Sequence, residues 1–168
     1  MPATKIAFRS PLPLASATPS FIDGREAEEL EQAICGKIRE RAHLLFEQSG
    51  CEPGNDDANW LRAELEILRS GGEVRVSGSW VTLNISIPDA SGQGLQIVVR
   101  PTRVLVRFLR ADGNGQDSLE GVKQGQREIF LAVNLTVEVD PPSATASFRD
   151  HNLHLMVKKR RPDESNGA

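Results

Sequence analysis

The sequence predicts an α+β protein: an αα-hairpin followed by an all-β, immunoglobulin-like antiparallel sandwich of about seven strands. Three observations predict it. Between Asp23 and Leu68, apolar residues recur every three or four positions, the period of an amphipathic helix. From Glu73 onward the period falls to two, as in strands with one buried face. Gly71-Gly72, a pair that ends helices, stands between the two regimes.

Taken in order, residues 1–22 mix Pro, Ser, Ala and Thr without periodicity and are assigned to a disordered segment. A helical hairpin is expected over 23–70. Asp23 and Glu26 form a D-x-x-E capping box, in which each carboxylate reaches an unpaired amide of the first turn. Ala27, Leu30, Ile34, Ile38, Ala42 and Leu45 then draw one apolar stripe, and Gly50, Pro53 and Gly54 stop the helix. The second helix opens near Asn55–Asp57 and carries Trp60, Leu61, Leu65 and Leu68. The hairpin's stripe exceeds what two short helices can bury against each other. The pattern stands complete without the strands, so the hairpin is expected to be a separate, movable interaction module.

The sandwich is expected over 73–160. "EVRV" at Glu73, then Val81–Ile87, Leu95–Val99, Val104–Phe108, Ile129–Val137, Ala144–Phe148 and Leu153–Val157, alternate apolar with polar residues. The polar stretch Ala111–Gln126 reads as a flexible connection, and 161–168 as a flexible tail.

Composition narrows the function classes. No stretch approaches the ~18 uninterrupted apolar residues of a spanning helix. Arg9 and three prolines interrupt the N-terminus where a signal peptide would be apolar, so the protein is read as cytoplasmic. Net charge is −3, split as −4 over residues 1–72 (8 basic, 12 acidic) and +1 over 73–168 (12 basic, 11 acidic). Neither half has the basic field nucleic acid requires. The run Lys158–Arg161 reads as a solvated chain end. Cys35 and Cys51 lack metal or redox spacing. Phosphate loops, serine elbows and cysteine–histidine pairs do not occur, so neither a cofactor nor an enzyme activity is expected.

"FRDHNLHLMV" gathers Asp150, His151 and His154, which are possible metal ligands. In a strand, residues three apart face opposite ways. Leu153, Leu155 and Val157 fix the register, which puts His154 on the outward face and leaves Asp150 and His151 in a tight turn. No metal site is expected there.

The strand half, from about Val74 to Lys159, resembles the α-crystallin domain of small heat-shock proteins. "WVTLNISIPDASGQGLQIVVRPTRVLVRFL" follows that family's strand–loop–strand–turn–strand pattern. Val139-Asp140-Pro141, Ala146, Asp150, Leu153 and Leu155 fall on its closing motif. The chain departs from it at His151, where the family has Gly, at Asn152 in place of Val, and at Thr136 in place of Pro. No I-x-I or I-x-V follows the last strand, which implies a homodimer or smaller assembly. Arg41, Ala42, His43, Leu45, Phe46 and Glu47, then Asp57, Trp60, Leu61, Ala63, Glu64 and Glu66, resemble short bacterial domains of unknown function. Phe46 and Trp60 are expected to pack across the hairpin, with Glu64 and Glu66 solvated.

The resemblance implies an ATP-independent chaperone (holdase) that binds partly unfolded proteins at sheet edges and between the sheets. The alternative is an interaction adaptor using sandwich and hairpin as docking modules. The expected contact residues are Phe8, Leu12, Leu14, Phe21, Phe46 and Trp60. Partners are unfolded or other proteins, with no nucleic acid and no membrane.

Overall fold

The computed structural model describes residues 18–88, 90, 94–111 and 126–161. Among these residues are two helices and nine strands, in three layers. The helices are α1 (Gly24–Gln48) and α2 (Asp56–Ile67). The strands are β1 (Ser20–Phe21), β2 (Leu68–Ser70), β3 (Glu73–Ser77), β4 (Trp80–Ser86), β5 (Gln96–Arg100), β6 (Arg103–Ala111), β7 (Gln126–Asn134), β8 (Val139–Arg149) and β9 (Asn152–Lys159). One sheet runs β1-β5-β6-β7-β2 and the other β3-β4-β9-β8.

The seven expected strands are present, and their alternation builds the central core. Val81, Leu83 and Ile85 of β4 meet Val104, Val106 and Phe108 of β6 and Leu153, Leu155 and Val157 of β9 in one buried cluster between the sheets. Two boundaries shift. The expected strand Ile129–Val137 ends at Asn134, where Leu135 N–H turns to donate to Thr102 O at 2.8 Å. β8 starts five residues before Ala144, and its register slips between Asp140 and Thr145. The expected flexible connection falls on residues 112–125, outside the described residues apart from its ends.

Two further strands come from the flanks of the hairpin, and both pair in parallel. β1 adds to β5 through Ser20 N–H to Leu95 O and Ile22 N–H to Ile97 O, both 2.9 Å. Thus Ser20 and Phe21, assigned by composition to a disordered segment, are a sheet edge. β2 pairs with β7 over Leu68–Ser70, closing the opposite edge. A two- or three-residue strand carries no periodicity, which is why the sequence did not reveal either.

The hairpin, expected to stand as a separate, movable module, packs against the sandwich. Ala27, Leu30, Ile34, Ile38 and Leu45 of α1, with Ala63 and Leu68, share one buried cluster with Val98, Leu105 and Phe130 of the five-stranded sheet. That sheet is apolar on both faces at its centre: Val98 and Leu105 are register partners beside Ala132, and they point away from the inter-sheet core. The surplus stripe therefore meets the sandwich. The signal was legible in "IVV", "VLV" and "IFLAV", where apolar residues run on without alternation, as in strands covered on both sides.

Local chemistry sets the helix ends. Asp23 is the N-cap of α1, but its carboxylate makes no capping bond; the first link is Ala27 N–H to Asp23 O, so the expected box does not close. At the other end Gly50, with φ 84°, allows a Schellman turn. Cys51 N–H donates to Phe46 O and Gly50 N–H to Glu47 O, at 3.1 and 3.2 Å. Gly72, with φ 113°, carries the chain from β2 in one sheet to β3 in the other. A Cβ there would lie 2.8 Å from Ile85 Cγ1 and 3.3 Å from Asn84 O. Gly71-Gly72, expected to end the second helix, instead follows β2, since α2 stops at Ile67, and makes a close crossing between layers.

Candidate functional site

The outer face of the five-stranded sheet has an apolar centre ringed by arginines, and the hairpin supplies counter-charges to several of them. Arg100 donates from Nε and Nη2 to the two carboxylate oxygens of Glu31, each at 2.8 Å, a bidentate clamp between β5 and α1. The hydrogen bond from Arg100 holds the Glu31 carboxyl below its ordinary value, against the opposing effect of burial. Arg103 reaches Glu64 of α2 at 3.5 Å. Arg107 donates to Gln96 at 2.8 Å and to Glu128. Arg41 bridges α1 to Glu66, which also pairs with Arg62. Glu64 and Glu66, expected in solvent, are thus ion-paired, one across to the sheet and one across the hairpin. Of these pairs, Arg100–Glu31 and Arg103–Glu64 tie the hairpin to the sheet.

The expected contact residues divide. Phe8, Leu12 and Leu14 lie outside the described residues. Phe21, in β1, is 43% exposed. Phe46 is half-buried in the last turn of α1. Trp60 is half-buried against the helix–sheet core, and lines a cleft with Ile34, Ile38, Leu68 and Leu105. Its indole packs the hairpin onto the sheet.

The large apolar side chains that do face solvent on the hairpin are Leu44, Leu61 and Leu65, exposed by 47%, 60% and 72%. The helical period groups Leu61 and Leu65 with Trp60 in one stripe. On α2 the buried face is instead set by Ala63, with Trp60 and Ile67 partly covered, and the leucines one turn apart at 61 and 65 lie outside it. Two apolar stripes overlap in this short helix, and the sequence alone does not choose between them.

Asp150 and His151 form the turn between β8 and β9, with φ of 49° and 61°. Asn152 Nδ2 donates to Asp150 O at 3.0 Å and braces that turn. His154 stands in the strand between Asn84 and Ser147, its register partners. The turn expected from the register is the one observed. Among the described residues, no group of three or more His, Cys, Asp and Glu side chains comes together, and no helix is long and apolar enough to cross a membrane. Cys35 and Cys51 are unpaired thiols, the first half-buried and the second exposed.

Fold and surfaces together define an α+β protein with a two-sheet β-sandwich and a helical pair seated on one sheet. Residues 36–69, spanning most of the hairpin, match a family described as a protein of unknown function (DUF2934). The chain is similar in structure to heat shock protein 16.0 from Schizosaccharomyces pombe, with TM-score 0.46 and 9% identity, over 58% of this chain and 78% of that one. It is also similar to hspA from Xanthomonas axonopodis (TM-score 0.43, 13% identity, 53% and 91% covered). A third likeness is to a small heat-shock protein from Xylella fastidiosa (TM-score 0.42, 12% identity, 54% and 84% covered). A comparison with curated proteins finds no match.

Proposed function

We propose that the protein is a small heat-shock-like, ATP-independent holdase that captures partly unfolded proteins on the outer face of its helical hairpin. The observation that carries this is the solvent-facing set Leu44, Leu61 and Leu65. Large apolar side chains left in water forgo about 1.5–3 kcal/mol each, which a client's exposed apolar surface recovers. The α-crystallin-like closing motif around Val139-Asp140-Pro141 supports the chaperone class. The test is light scattering from a heat-denatured client enzyme. The protein should suppress scattering without nucleotide, and Leu61→Glu with Leu65→Glu should weaken that suppression several-fold while leaving the fold intact. Unchanged suppression in the double variant would remove the hairpin face from the mechanism.

A second reading, an adaptor that docks a dedicated partner, is favoured by one observation. The outer edges of β5 and β7 are paired with the chain's own β1 and β2. Strand addition to β5 or β7 first requires one of these to leave, and the edges left open are those of two- and three-residue strands. Absence of any suppression by the native protein would favour this adaptor.

A further inference from the structure

The basic run Lys158–Arg161 is not a loose chain end. Lys158 and Lys159 close β9, Lys159 N–H donates to Ser79 O at 2.8 Å, and Arg160 N–H donates to Glu138 O at 2.9 Å. Three of the four cations are therefore held at one end of the four-stranded sheet, and Arg161 follows directly. Trp80 starts the neighbouring strand as the register partner of Lys158, whose Nζ lies 5.4 Å from the ring centroid. Trp80 is 37% exposed. With the Gly78–Ser79 turn, this ring and the four cations line one shallow cleft. Nearby acidic groups balance it only in part. Glu138 pairs with Arg160 at 3.7 Å, and Asp140 faces Lys158 in register. Lys159 and Arg161 have no carboxylate partner among the described residues.

We propose that this cleft docks a short acidic segment of a partner protein. Its carboxylates pair with Lys158, Lys159 and Arg161, and an apolar side chain lies against the Trp80 indole. Four cations set against Glu138 and Asp140 leave two positive charges unbalanced, which matches a segment with two or three carboxylates. Single-stranded nucleic acid is the poorer fit. It stacks successive bases on several rings, whereas the cleft offers one. A longer polyanion also leaves the patch for a chain of net charge −3, of which residues 1–72 carry −4. The cleft is formed by β4 and β9 and is independent of the hairpin leucines, so the failure of either proposal leaves the other standing.

The experiment is fluorescence anisotropy of a labelled ten-residue peptide of Asp and Glu with one central Leu, titrated with the full chain. Binding should weaken as salt rises, since these charges lie in the screened range. Lys159→Glu with Arg161→Glu should reduce affinity at least tenfold, and Trp80→Ala several-fold, with circular dichroism melting of the charge variant unchanged. Should the charge variant misfold, Arg161→Glu alone, beyond the last strand, should still reduce affinity several-fold. The proposal is overturned by absence of binding or by undiminished binding in a folded charge variant. It is equally overturned if a ten-nucleotide thymidine oligomer displaces the peptide at lower concentration than unlabelled peptide does.

Discussion

Replacing Ile34 by Ala tests whether hairpin and sandwich are one cooperative body. Ile34 is 5% exposed and lines the layer between α1, Leu68 and Leu105. Removing three carbons forfeits about 2.4 kcal/mol of transfer free energy at ~0.8 kcal/mol each. The cavity left between a helix and a rigid sheet adds about 1 kcal/mol, for a total near 3–4 kcal/mol within the range seen for such truncations. For a chain of 168 residues this lowers the melting temperature by about 10 °C. The assay follows unfolding by helical circular dichroism and by Trp80 fluorescence in a Trp60→Phe background, so that one probe reads the hairpin and the other the far sheet. Both should shift together, because the buried cluster of α1 includes side chains of β5, β6 and β7. If Ile34→Ala melts the helices early while the Trp80 transition stays in place, the layers are energetically separate and the shared-core argument fails.

Three further outcomes are expected. Gly72→Ala should cost about 1–3 kcal/mol, since it forces a side chain to positive φ against Ile85 and the Asn84 carbonyl; stability within ~0.5 kcal/mol of wild type in urea melts would show that the crossing relaxes freely. His151→Gly should leave stability unchanged or raise it by about 0.5–1 kcal/mol, because φ is 61° at that position; a loss would mean that the imidazole makes a contact worth more than the strain. Glu31 has a folded pKa below its ordinary 4.5, owing first to the hydrogen bond from Arg100, so folding favours its ionised form. The clamp's contribution, about 0.5–1 kcal/mol after allowance for its partial exposure, is complete above the unfolded pKa and disappears as pH falls through the folded one. Glu31→Gln should therefore be less stable than wild type at neutral pH and equal to it at strongly acidic pH, and a pH-independent gap would contradict the assignment.

The alternation from Glu73 to Val157 by itself determined the seven strands and which side chains meet between the sheets, because burial of one face leaves a period of two in the residues. The register of Leu153, Leu155 and Val157 likewise fixed the turn at Asp150–His151. The helical period specified both helices and the stripe on α1, and Gly50 marked the end of α1, whereas α2 stops at Ile67, ahead of Gly71-Gly72, because Leu68–Ser70 pairs with β7. What covers that stripe depended on the outer face of β5, β6 and β7, where Val98, Leu105 and Phe130 are brought side by side only by strand pairing. The same holds for the partners of the surface charges. Arg100 and Glu31 are 69 positions apart, and nothing local links them. Trp60 was legible as an important aromatic but not as a residue that packs on the sheet, because α2 carries two overlapping stripes and only its contact with the sheet selects one. The strands β1 and β2, too short for periodicity, exist because an edge already formed elsewhere offers unpaired backbone groups. Tertiary structure decided the choices made by distant neighbours, and the sequence decided those that each segment makes through its own period.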